Sequence, residues 1–183
     1  MTLYVRGHAG GRLGTHGTGK STLIDDLRGI LPGYRLLGDP YDELVGAAAE
    51  ASTDTVLEQL TVSVRRLRPG MDVVCERGPV DLLAYLMALD DLGRDRHART
   101  LFADAVEEAA AAMEQVDLVV LLVTERATDA RLGADDDREL RAAMQEALLE
   151  LYDDPDLVGS STRVVEIAGP REQRARMLAE LLG

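Results

Sequence analysis

The chain has 183 residues, enough for one domain and too few for two ordinary ones. Hydrophobic residues make up 46% and charged residues 29%, which excludes wholesale disorder, and the single cysteine, Cys75, excludes an internal disulfide. A net charge of −13 disfavours nucleic acid and anionic membrane as partners, because both require a basic face, yet leaves room for a small anion in a local pocket.

Five short strands are expected to alternate with helices. The first lies within 3–13, and two readings stay open. Either Leu3-Tyr4-Val5 is the strand and a glycine-rich excursion follows, or Arg12-Leu13 is a truncated strand end. A helix is expected over 20–30, then a second strand at 34–37 and a helix over 41–67. In the latter, Val56, Leu57, Leu60, Val64 and Leu67 keep helical spacing. The third strand falls at 72–75, followed by helices over 80–92 and 96–115. The fourth, at 117–123, is a continuous apolar run, as a strand buried on both faces should be. A helix over 137–152, a fifth strand at Arg163–Ile167 and a helix over 170–182 complete the chain. The alternation predicts an α/β fold of three layers, a parallel sheet with helices on both faces. No apolar run is long enough to span a membrane. The first residues lack the apolar core of a secretory leader, so a cytoplasmic protein is expected.

Residues 14–21 carry the most specific pattern. They read Gly14-Thr15-His16-Gly17-Thr18-Gly19-Lys20-Ser21, the G-x-x-x-x-G-K-[ST] phosphate-binding loop. Glycines let a backbone wrap a phosphate with its N–H groups turned inward. A helix starting near Lys20 adds its positive end to the same anion. Lys20 reaches the β- and γ-phosphates, and Ser21, with Thr22 beside it, offers a hydroxyl to Mg²⁺. The chain has 20 basic residues, and Lys20 is its one lysine. A slim point charge suits a narrow loop where a forked guanidinium does not. The plain alternative is a glycine-rich turn before a helix.

Other residues follow the strand ends. The third strand runs into Glu76-Arg77-Gly78-Pro79. Glu76 can hold Mg²⁺ directly or through water, and Arg77 can hold an acceptor or a phosphate; a surface ion pair is the plain alternative. The second strand runs into Asp39-Pro40, where Asp39 is either a general base near an acceptor hydroxyl or the cap of the next helix. After the fourth strand, Arg126 and Arg131 could close over a triphosphate as a lid near 125–138, or could simply be solvated. Asp135-Asp136-Asp137 reads as a helix start rather than a metal site. Gly169-Pro170-Arg171 follows the fifth strand, where a loop over the nucleotide base would lie, and is equally credible as a bare turn. His8, His16 and His97 have no ligand spacing.

Taken together the chain resembles the nucleoside- and nucleotide-kinase branch of the P-loop proteins. It is most similar to the AAA_28-type ATP-binding family, itself similar to the nicotinamide riboside kinase domain. The resemblance rests on His16-Gly17-Thr18-Gly19-Lys20-Ser21-Thr22-Leu23, on Asp39-Pro40-Tyr41-Asp42-Glu43-Leu44 and on Glu76-Arg77-Gly78-Pro79-Val80-Asp81-Leu82-Leu83-Ala84-Tyr85-Leu86. It extends to the Asp-Arg-Glu stretch at 137–139 leading to Leu151-Tyr152. The chain departs from the family in its first strand, and has Gly78 where serine is frequent.

The resemblance implies one P-loop kinase-like domain over 1–183 with a parallel sheet of order 2-3-1-4-5. It also implies a catalytic set of Lys20, Asp39, Glu76, Arg77, Arg126 and Arg131. ATP would lie on residues 14–22 with Gly169 and Arg171 near its base, and Mg²⁺ on Ser21 and Glu76. The expected reaction moves a γ-phosphoryl group from ATP to a hydroxyl of a small molecule, a nucleoside or another metabolite. An NTPase switch and a non-catalytic ATP-binding module, each acting through a protein partner, are the alternatives. The absence of Trp, with one Phe and five Tyr, offers no obvious stacking platform for a base. A homodimer is left open.

Overall fold

Strand–helix alternation persists through the computed structural model, which describes residues 2–9, 12–13, 20–44, 53–67, 72–124 and 138–182. The elements in chain order are β1 (Thr2–Ala9), β2 (Arg12–Leu13), α1 (Lys20–Leu27), β3 (Arg35–Leu37), a 3-10 turn (Pro40–Glu43) and α2 (Thr53–Arg66). Next come β4 (Val73–Glu76), α3 (Pro79–Asp91), α4 (Ala98–Met113), β5 (Leu118–Thr124), α5 (Arg138–Asp153), α6 (Pro155–Val158), β6 (Arg163–Ile167) and α7 (Arg171–Leu182).

The strands form one sheet in the order β3-β4-β1-β5-β6, every neighbour on this path being parallel. The pleat divides its side chains between two cores. Val73, Cys75, Val119 and Leu121 join the core built with α2, α3, α4, α5 and α6. Val74, Leu118, Val120, Leu122 and Ile167 join the one built with α1 and α7. This two-sided burial is the physical reason β5 reads as an unbroken apolar run. The middle helix α3 is buried at Val80, Leu82, Leu83, Ala84, Leu86 and Ala88, and packs against α2, α4 and α5. No helix among the described residues is long and apolar enough to cross a membrane.

The first strand resolves into a hairpin. Val5 of β1 pairs with Glu76, the last residue of β4, yet β1 runs on to Ala9 while still paired with β5. The edge that β4 leaves empty beyond Glu76 is taken by β2, antiparallel through His8↔Leu13 and Ala9↔Arg12. Leu3-Tyr4-Val5 is therefore strand, and Arg12-Leu13 is a returning strand rather than a truncated end.

The expected helix over 41–67 requires a correction. Pro40–Glu43 is a 3-10 turn, and the Leu44 N–H returns to the Tyr41 carbonyl, so the turn closes at once. The described α-helix starts at Thr53. The short α6 was not expected. Asp154 accepts from the Asp156 N–H, Pro155 opens the turn, and Gly159 at φ 78° stops it.

Candidate active site

Leu37 of β3 pairs with Cys75 of β4, so the chain leaves these two strands side by side. Asp39 and Arg77 meet there, with Arg77 Nε 3.0 Å from Asp39 Oδ2. The other oxygen, Asp39 Oδ1, accepts from the Tyr41 N–H at 3.0 Å. Asp39 thus caps the 3-10 turn with one oxygen and faces an arginine with the other. Arg77 has φ 61°, the one positive value among the described non-glycine residues. That conformation costs an L-residue about 1–2 kcal/mol.

What holds Arg77 in that conformation lies just beyond it. The Gly78 N–H donates to Asp81 Oδ2 at 2.9 Å, and the Asp81 N–H returns to the Gly78 carbonyl, forming a capping box on α3. Burial pushes the Asp81 carboxyl up to about 8 from an ordinary 3.8, against the Gly78 and Asp81 N–H groups that pull it down. Between those values the folded chain keeps a proton that the unfolded chain has lost. Unfolding then releases a proton, and stability falls as pH rises through the window. Asp81→Asn retains an oxygen for the Gly78 N–H and cannot ionise. Its melting temperature should exceed the native one by a margin that grows from about pH 4 to about pH 8, then levels. A margin independent of pH in calorimetric melts would show that burial does not hold the Asp81 proton.

On the other side of the corner, α2 delivers Arg66. Its side chain is 5% exposed. Nε and Nη2 donate to Glu43 Oε1 at 3.0 and 2.7 Å, Nη1 to the Gly38 carbonyl at 2.7 Å, and Nη2 to the Asp39 carbonyl at 3.4 Å. The Arg66 guanidinium lowers the Glu43 carboxyl pKa, with a lesser contribution from Arg65. Sequence reasoning assigned no role to Arg66, Glu43 or Asp81. The one available signal was Glu43 and Asp81 standing inside the two runs that carry the resemblance.

Arg66 closes a buried polar face. Thr55, Gln59, Ser63 and Arg66 follow one another by four, four and three residues, so one side of α2 carries all of them. Among the described residues, Gln59 Oε1 and Ser63 Oγ have no hydrogen-bond partner. Native proteins seldom bury such groups unpaired.

Lys20, Ser21 and Thr22 open α1, which packs on β1, β3 and β4. Residues 14–19 of the loop, and Arg126 and Arg131 with the whole of 125–137, lie outside the described residues. Glu76 is buried at the end of β4, beside β1, and the pleat places it on the face of Val74, which α1 covers. The described residues hold no group of three or more His, Cys, Asp or Glu able to bind a metal. The Glu76 carboxylate is nevertheless the donor type that a hard cation such as Mg²⁺ takes.

Gly169 and Arg171 form a separate corner. Gly169 has φ 102°, and a β-carbon there would stand 2.9 Å from Gln173 Oε1. Arg171 grips Asp26 of α1 with both Nε and Nη2, at 2.8 and 2.6 Å. This pair lowers the Asp26 pKa. Asp26 stands on the turn of α1 away from Lys20, ~9 Å along the axis. The Arg171 side chain therefore ties α7 to α1.

Residues 13–174 match the AAA_28 family, described as an AAA domain. No curated protein sequence matches the chain. Among solved structures, deoxyadenosine kinase from M. mycoides with bound dATP aligns at a TM-score of 0.62 and 14% identity, over 100% of both chains. The same kinase with bound dCTP aligns at 0.59 and 15% identity, over 100% of this chain and 96% of that one. At these identities the likeness establishes a shared fold.

Proposed function

The chain belongs to the AAA_28 family, and from that we propose that it is an ATP- and Mg²⁺-dependent phosphotransferase acting on a hydroxyl of a small molecule. The observation that carries the reading is the Arg77–Asp39 pair at adjoining strand ends, next to a sheet whose central strand leads to the phosphate-loop sequence. Ligands in such sheets bind outside the carboxyl ends of the strands.

In this reading each residue of the set has one role. Residues 14–19 cradle phosphates, Lys20 balances the β- and γ-phosphates, and Ser21 with Glu76 holds Mg²⁺. When bound, that ion supplies a charge clamp on the phosphate oxygens. Asp39 aligns the acceptor hydroxyl and takes its proton, while Arg77 stands within reach of the acceptor or the transferred group. Arg126 and Arg131 serve a lid near 125–138. A kinase yields ADP only when a hydroxyl acceptor is present. Coupled assays of ADP release across nucleosides, other ribosides and sugars test this. Equal release without any acceptor would favour an NTPase switch. ATP binding without release would favour a non-catalytic module.

The buried face of α2 supplies the acceptor wall in this reading. It continues from Arg66, which touches the backbone of Asp39, to Ser63 and Gln59 with their unpaired oxygens. An acceptor carrying N–H or O–H donors would satisfy both. Gln59→Leu separates this from a packing role. Removing an unpaired buried polar group should leave stability equal or higher, whereas one lost acceptor hydrogen bond raises the acceptor KM about tenfold at unchanged ATP KM. An acceptor KM equal to native would remove Gln59 from the wall.

A further inference from the structure

We propose that Arg66, anchored by Glu43, is the positioning residue that sets Asp39 against Arg77; this rests on reading that pair as the couple facing the acceptor. The corner between β3 and the 3-10 turn has no sheet partner once β3 ends at Leu37. Its Gly38 carbonyl needs a donor, and its Asp39 carbonyl, which takes the Asp42 N–H at 3.1 Å, has a second lone pair to offer. Arg66 meets both with Nη1 and Nη2, and the same guanidinium is held from its other edge by Glu43 through Nε and Nη2. Glu43 belongs to the turn that Asp39 caps. The guanidinium is therefore clasped between the two ends of one short turn, and its plane dictates how residues 38–43 sit on α2.

The consequence reaches the carboxylate. Asp39 precedes Pro40, which restricts its backbone to the extended region it adopts here, φ −59° and ψ 135°. With that backbone fixed and Oδ1 bound by the Tyr41 N–H, Oδ2 is the oxygen left to face Arg77. Rotation of the peptide planes at 38–39 would carry Oδ2 away from Arg77. Arg66 blocks that rotation because its planar fork spreads four N–H bonds from three nitrogens over the two successive carbonyls and the Glu43 carboxylate, whereas an ammonium has three donors on one atom and no fixed plane. Arg66 acts through the Asp39 backbone, so it is a positioning residue and not a catalytic one.

The experiment reads Arg77 directly, without requiring turnover. In protein labelled with ¹⁵N-arginine, the Arg77 Nε–H signal is assigned by its loss in Arg77→Lys and by its displacement in Asp39→Asn. Arg66→Lys keeps the charge and loses the fork; Glu43→Gln keeps an acceptor oxygen and loses the anchoring charge. Both should move the Arg77 signal toward that of a solvated arginine and speed its exchange with water. Where the native protein phosphorylates an acceptor, Arg66→Lys should also lower kcat by about 10²-fold at unchanged ATP KM, the scale of a small misplacement in an active site. A folded Arg66→Lys whose Arg77 signal stays at its native position and exchange rate overturns the proposal. If Arg66→Lys does not fold, the same measurement on Glu43→Gln decides, and an unmoved signal there overturns it equally. A displaced Arg77 signal in a protein that transfers phosphate to no acceptor would sustain the positioning role and reject the kinase reading.

Discussion

Lys20→Ala is expected to weaken ATP binding by about 10²–10³-fold in titration calorimetry with Mg²⁺ present. Truncating one partner of a desolvated charge pair costs roughly 2–5 kcal/mol, and each 1.4 kcal/mol is about tenfold. The position supports that scale. α1 begins at Lys20, so in the proposed role the unpaired N–H groups of its first turn would act on the same anion as the lysine charge. Lys20 is also the one lysine of the chain, against 19 arginines that could have supplied a cation. Lys20→Arg should therefore fail nearly as badly, because a branched guanidinium is too broad for a loop whose backbone closes around phosphate. Native affinity in both variants would mean that residues 14–21 do not hold the triphosphate.

What was legible in the sequence was what depends on local pattern. The DLVVLLV run announces a strand covered on both sides, and β5 is buried by residues of both cores. Asp39 and Arg77 each follow a strand, and the register of β3 on β4 brings these two together, while Glu76 is still the last residue of β4. The hairpin was not legible, since the returning strand Arg12–Leu13 is two residues long and carries no periodicity to read. The helix over 41–67 was overextended for a similar reason: a proline at the start of a 3-10 turn looks like a proline at the start of an α-helix. Arg66 was invisible because its partners stand 23 to 28 positions away in the chain. In sequence it is one of two last-turn cations of a helix, a pattern that ordinarily signals only a favourable helix dipole. Asp81 escaped because its environment, not its spacing, makes it unusual: burial raises the carboxyl and the Gly78 amide orients it.

The sharpest separation of roles lies between Asp39 and Glu76. Asp39→Asn should keep ATP affinity near native and lower turnover by about 10²–10⁴-fold, the usual worth of general-base help. The amide oxygen can still accept the Tyr41 N–H, but an NH₂ group at the other position would meet the Arg77 Nε–H as donor against donor. The variant thus loses proton acceptance and the hold on Arg77 together. Arg77→Gln divides the two effects, since it removes the guanidinium and leaves the carboxylate. If proton removal dominates, Arg77→Gln retains far more turnover than Asp39→Asn. Stability should change little in either, because both side chains remain partly in solvent and such pairs contribute about 0–1 kcal/mol. A fall in turnover without a fall in melting temperature is then a catalytic effect and not a folding one. Glu76→Gln should behave differently. It sits on the α1 face at the end of β4, so its loss should raise the Mg²⁺ concentration needed for half-maximal rate. Steady-state phosphorylation at several Mg²⁺ concentrations distinguishes them. Full turnover in Asp39→Asn would reduce Asp39 to a turn cap with an arginine counter-ion, and would make Glu76 the carboxylate in which to seek the base.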